Sequence, residues 1–204
     1  MKLSRKIFLL SAVACGMMVA HDAAHAAHHA PGDPADEKAR QVLAHMSPED
    51  KMSLLFSVDG GGFNGSVAPP GGLGSAAYLR APAGSGLPDL QISDAGLGIR
   101  NPAHIRKDGA AVSLPSGLST ASSWDMDMAR EAGAMIGREA WQSGFNVLLG
   151  GGADLTRDPR GGRNFEYAGE DPLQTGRMVG STIAGVQSQH VISTLKHYAM
   201  NDLE

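Results

Sequence analysis

Chemistry-bearing residues are densest in the run Asp158-Pro-Arg-Gly-Gly-Arg-Asn-Phe-Glu-Tyr-Ala-Gly-Glu-Asp-Pro172, which is followed by Lys196-His197. The run sets arginines and carboxylates among glycines, a composition that could hold a neutral, hydroxyl-rich ligand. Upstream, Leu90-Gln-Ile-Ser-Asp94 ends an apolar stretch on a carboxylate. An ionised Asp can accept two hydroxyl hydrogen bonds, while Arg, Lys and His donate to other hydroxyls. Asp94, Arg163, Lys196 and His197 could therefore orient one pyranose ring together. Taken singly, each is read more simply as a solvated or ion-paired loop residue, which is the usual fate of an exposed charge. The residue types alone leave both readings open.

Positioning such groups requires a scaffold, and the apolar pattern supplies one. Leu90–Ser93, Leu118–Ser122, Phe145–Leu149 and Val191–Leu195 read as short buried strands. Between them, Trp124–Ser143 reads as a helix opened by Ser122-x-x-Asp125, with Met128, Ala132, Met135 and Ile136 on one stripe. A second helix runs from Pro172 to Gln189. Strands alternating with helices imply parallel strands and crossover connections, and so an α/β fold in which Asp94, Arg163 and Lys196-His197 fall at carboxyl ends of strands. Four such strands are half of an eight-stranded barrel. Further upstream, Glu37–Met46 reads as a surface helix, and Ser47 caps another that begins with Pro48. The Gly- and Pro-rich stretch 59–86 reads as loop. Its Gly60, Gly62 and Gly65 satisfy G-x-G-x-x-G, but two prolines and three glycines in 66–74 prevent the helix that nucleotide binding needs.

The N-terminus reads as an export signal. Lys2, Arg5 and Lys6 form a basic start, Ile7–Ala20 an apolar run too short to span a bilayer, and Ala24-His25-Ala26 a cleavage site. Residues 27–36 follow as a linker. Without residues 1–26 the chain keeps 14 Lys and Arg against 20 Asp and Glu, a balance of −6 that argues against a nucleic-acid partner. The single cysteine, Cys15, lies in the apolar run, so a chain cut after Ala26 has no disulfides or thiolate ligands. The alternative is that Cys15 is acylated and retained as a lipid anchor. A new terminus Ala27-His28-His29 could bind Cu²⁺ through its amine, amides and imidazole. A His-biased processing region is the plainer account, so no metal and no cofactor are expected.

Ala77-Tyr78-Leu79-Arg80, Leu90–Asp94, Asp158–Arg163, Gly169–Pro172 and Lys196-His197-Tyr198 occur in the order and approximate spacing of glycoside hydrolase family 3, which the chain resembles from Glu37 to Glu204. The resemblance implies the N-terminal half of a (β/α)8 TIM-like barrel over 37–204. It also implies that Asp94, Arg100, Arg163, Lys196 and His197 contact the non-reducing glycosyl unit at the subsite of cleavage. Glu166, Glu170 and Asp171 are assigned instead to ion pairs or to capping the next helix. Lys196-His-Tyr-Ala-Met-Asn-Asp-Leu-Glu204 lacks the Phe-Pro-Gly-His-Gly-type loop of members that cleave N-acetylglucosamine. The match is closer to the β-glucosidase and β-xylosidase branch.

Retaining hydrolysis needs a carboxylate nucleophile and a carboxylic acid about 5–5.5 Å apart. The resemblance places both beyond Glu204, so the chain is read as an N-terminal piece of an exported β-glucosidase, inactive alone and binding a β-linked glucoside or short oligosaccharide. A non-catalytic carbohydrate-binding remnant is the alternative, weakened by the sheet edges an open half-barrel would expose. Adjacent side chains on a regular strand face opposite ways, so Lys196 and His197 can reach one sugar only if the backbone is distorted; otherwise just one of them binds.

Overall fold

The computed structural model describes residues 33–62, 65–107 and 111–203. The export signal, Cys15 and the Ala27-His28-His29 terminus lie outside them. The described residues divide after Ser47 into two units. In the first, helix α1 spans Pro34–Ala44. It begins three residues before the Glu37 expected, inside the stretch read as linker. The reason is local: the Asp33 side chain accepts from the Ala35 amide, and Pro34 occupies a first-turn position where its missing N–H is not needed. Arg40 pairs with Asp36 and Glu37 along its exposed surface.

The second unit opens with the short helix α2, Pro48–Ser53. Its five-stranded sheet has the order β1-β2-β3-β4-β5: Val58–Asp59, Ala77–Leu79, Leu90–Asp94, Val147–Leu149 and Ile192–Ser193. β1, β2 and β3 pair antiparallel, whereas β3, β4 and β5 are parallel, in the register Ile92 to Val147 to Ile192. Helices α3 (Gly117–Ala121) and α4 (Met126–Gln142) lie between β3 and β4, and α5 (Pro172–Gln187) lies between β4 and β5. The architecture is α/β, arranged as the first half of a (β/α)8 barrel.

Three expectations are corrected. Leu118–Ser122 is not a strand but most of helix α3, capped by Ser116 Oγ on the Ser119 amide. Five residues are too few for a period of 2 to be told from one of 3.6, and the cap decides. The parallel strands are therefore three. At the start of the stretch read as loop and within it, Val58–Asp59 and Ala77–Leu79 pair as β1 and β2. Asp125, not Ser122, caps α4, accepting from the Asp127 and Met128 amides.

One core cluster joins Ala95, Ile99, Phe145 and Leu148 from the sheet side to Ile136, Ala140 and Val186 from the helices. Phe145 and Leu148 are fully buried, each stabilising the fold by about 1.5–3 kcal/mol. A second cluster joins Ala121 of α3 and Ala129 of α4 to Ala168 and to Met178 and Val179 of α5. α4 and α5 cross with backbones in contact: a Cβ on Gly133 would lie 2.1 Å from the Thr182 carbonyl oxygen, and one on Gly185 2.1 Å from that of Arg130. Small residues at the crossing let the helices close on the sheet and fix the strand ends above it.

Candidate functional site

The carboxyl ends of β3, β4 and β5 open onto a cavity of about 540 Å³ lined by Asp94, Arg100, Arg163, Phe165, Glu166 and Lys196, together with the loop 96–101 and residues 111–113. Each side chain is set by the turn that carries it. Asp94 ends β3, anchored by its pairing with Leu149 of β4. Among the described residues no protein group donates to its carboxylate, which leaves both oxygens for hydroxyl donors. Arg100 follows on a loop folded back by its amide, which donates to the Asp94 carbonyl at 3.2 Å. Arg106 braces that loop. Its guanidinium donates to the carbonyls of Arg100 and Gly74 and stacks 4.7 Å from the centre of the Phe145 ring, and burial lowers its pKa.

Arg163 stands at the start of a turn of 3-10 helix, Asn164–Glu166. The turn is held by Asp158, which accepts from the Arg160 amide and guanidinium through its carboxylate and from Asn164 through its carbonyl. Lys196 lies just beyond β5, bridging Gly152 in parallel fashion, its amide donating to Gly151 and its carbonyl accepting from Ala153.

Glu166 links the last two cations. Its side chain is 7% exposed; Oε1 accepts from Arg163 Nε at 2.5 Å, and Oε2 lies 3.1 Å from Lys196 Nζ. Burial pushes its carboxyl upward, but the two cations outweigh that effect and hold it below its ordinary value. The Glu166 carbonyl is in turn pressed against Gly117 and Gly152, where added Cβ atoms would stand 2.5 and 2.6 Å away. The ion-pair role expected for Glu166 holds, as does capping by Asp171, whose Oδ1 accepts from Gln174 at 2.7 Å at the start of α5.

His197 departs from the group. It does not line the cavity; its Nδ1 faces the Tyr167 hydroxyl at 2.9 Å and Asp154 Oδ2 at 3.6 Å. The Lys196–His197 peptide is cis. β5 ends at Ser193, so strand alternation does not govern where these two side chains point. Asp154 and Tyr167, which sequence reasoning did not single out, anchor this segment. Asp154 accepts from the amides of His197 at 2.6 Å and Asn201 at 3.0 Å. Burial raises its carboxyl, but these amides and the nearby imidazole bring it below the ordinary value. Its position a few residues past β4 was the signal available, since strand ends in parallel folds carry such groups. Among the described residues no three His, Cys, Asp or Glu side chains are grouped as metal ligands.

Among the described residues the cavity thus presents the Asp94 carboxylate, bonded by no protein group, beside two cations that share one acid. That arrangement offers both acceptors and donors to a neutral polyol while remaining nearly balanced in charge. The family model for the glycosyl hydrolase family 3 N terminal domain matches residues 99–202. "Probable beta-glucosidase H" of Aspergillus flavus is 36% identical over 163 residues, covering 80% of this chain and 18% of that protein. Thermostable beta-glucosidase B of Acetivibrio thermocellus is 38% identical over 125 residues, covering 58% of this chain and 17% of that one. Among solved structures, beta-glucosidase 3B of Thermotoga neapolitana in complex with α-D-glucose superposes with a TM-score of 0.74 at 31% identity, covering 82% of this chain and 24% of that chain. The chain therefore spans less than a quarter of the length of these relatives. With the motifs, the fold and the family model in agreement, the chain belongs to glycosyl hydrolase family 3 and lies within its N-terminal domain.

Proposed function

We propose that this chain forms the glycosyl-binding part of an exported β-glucosidase, which releases terminal non-reducing β-D-glucosyl residues with retention of configuration. The observation that carries the reading is the convergence of Asp94, Arg100, Arg163 and Lys196 on one cavity at the carboxyl ends of the parallel strands. In this role Asp94 accepts from sugar hydroxyls, Lys196 and the arginines donate to others, and His197, outside the cavity lining, reaches the same unit through its exposed edge. A carboxylate and a cation on neighbouring hydroxyls fix ring orientation, which is what a retaining reaction needs before bond cleavage. Glu166 is committed to two cations and Asp94 to hydroxyls, so these residues do not supply the nucleophile and acid pair.

The sequence of residues 1–26 supports export to the periplasm or beyond. No helix among the described residues is long and apolar enough to cross a membrane. The similarity to proteins named β-glucosidase supports glucose as the sugar held.

Calorimetric titration of the 204-residue chain with glucose and with xylose tests the reading. Saturable glucose binding that is lost in Asp94→Ala, with the melting temperature unchanged, supports it. Binding of xylose in preference to glucose would move the assignment to a β-xylosidase, and binding of neither would remove the subsite.

A further inference from the structure

We propose that Tyr167 is a positioning residue for His197: its buried phenol fixes the neutral imidazole with its proton on Nε2, so that the ring nitrogen left open to a ligand is a hydrogen-bond donor. A neutral imidazole has one donor and one acceptor nitrogen, and the bond made by one nitrogen decides the role of the other. Here the inner nitrogen is Nδ1. It lies 2.9 Å from the Tyr167 hydroxyl, with the two rings edge to face at 6.0 Å.

The direction of that bond follows from what surrounds the phenol. Tyr167 is 1% exposed, so its hydroxyl is shielded from bulk solvent and is satisfied by its protein neighbours. Asn201 Nδ2 donates to the phenol oxygen at 2.7 Å. The hydroxyl must therefore place its own proton elsewhere, and among the described residues His197 Nδ1 is the acceptor within reach. Burial raises the phenol's pKa, which keeps that proton in place. The chain of bonds runs from the Asn201 amide to the Tyr167 oxygen, and from the Tyr167 hydroxyl to Nδ1.

Asp154 is the competitor. Its Oδ2 stands 3.6 Å from Nδ1 and would favour a proton there, but that oxygen already accepts from the His197 amide at 2.6 Å, while Oδ1 accepts from the Asn201 amide. The Asp154 carboxylate fixes the backbone and Tyr167 fixes the ring. Among the described residues no protein group hydrogen-bonds Nε2, and the His197 side chain keeps 28% of its surface exposed. The inference for the ligand rests on reading His197 as a sugar contact: an Nε2 donor complements Asp94, the acceptor at the carboxyl end of β3.

Long-range ¹H–¹⁵N NMR of the histidine-labelled 204-residue chain, at a pH where imidazole is neutral, reads the tautomer directly; signals absent in His197→Gln identify the residue. The expected result is the Nε2–H pattern in the parent and conversion to Nδ1–H in Tyr167→Phe, where Asp154 becomes the remaining acceptor. An Nδ1–H pattern in the parent overturns the proposal and needs no variant that folds. An unchanged Nε2–H pattern in a folded Tyr167→Phe overturns it as well. Glucose titration of the same variant separates the two readings. A switched tautomer with affinity reduced about fivefold, the loss of one neutral hydrogen bond, supports both. A switched tautomer with unchanged affinity upholds the role of Tyr167 and removes the sugar contact of His197.

Discussion

Glu166→Gln replaces the buried carboxylate with an uncharged group of the same shape and leaves Arg163 and Lys196 facing each other across it. Each unit-charge contact at about 3 Å has a Coulomb energy of about 5 kcal/mol at an effective dielectric of about 20, most of it offset by desolvation of the ions. Removing one member of a buried pair costs about 3–5 kcal/mol, because the partner charge stays buried without compensation. Arg163 keeps 32% of its side-chain surface exposed and is partly solvated, whereas Lys196 keeps 17%, so the expected loss is about 2–4 kcal/mol. The loss depends on pH in a defined direction. The Glu166 carboxyl is held below its ordinary 4.5, so its stabilisation is fully present above that value and disappears as pH falls through the lowered one. Urea unfolding of parent and variant at pH 7 should show the full difference, and the gap should narrow in acid. A variant within about 0.5 kcal/mol of the parent at pH 7 would refute the view that Glu166 pins both cations.

Other substitutions report on single elements. Gly185→Ala drives a Cβ toward the Arg130 carbonyl and should cost about 1–3 kcal/mol in thermal or urea unfolding. Asp171→Ala removes the cap of α5 and should cost about 1 kcal/mol by the same measurement, without changing glucose binding. Leu148→Ala opens a cavity at the centre of the larger core cluster and should cost about 2–5 kcal/mol. The 204-residue chain should release no aryl alcohol from an aryl β-glucoside above background; turnover abolished by Asp94→Asn would show that Asp94 acts as a nucleophile.

The strands that carry the site were readable because their apolar runs end on polar residues. Leu90–Asp94 was legible to within one residue, and α5 was marked by Asp171-Pro172 at its start. Where length could not discriminate, the reading failed: Leu118–Ser122 suits a strand or one helical turn, and Ser116, outside the segment considered, settles it. The pairing of β1 with β2 was hidden because strands of two and three residues among prolines and glycines leave no periodicity to detect. Asp94, Arg100, Arg163 and Lys196 each lie in or beside a recognisable motif, and the structure brings these four to one cavity. The support of His197 was not. Asp154 and Tyr167 lie 43 and 30 residues from it in sequence, and only the closing of the parallel strands brings them to the imidazole.

The convergence of the strand-end side chains on one sugar is tested most directly by a crystal structure of the chain soaked with glucose. The account predicts one pyranose in the cavity, with hydroxyls within hydrogen-bond distance of Asp94 and of Lys196 or Arg163, and Glu166 still joining the two cations. A sugar bound elsewhere, or Asp94 turned away and paired with Arg163 or Lys196 in the presence of glucose, would contradict it.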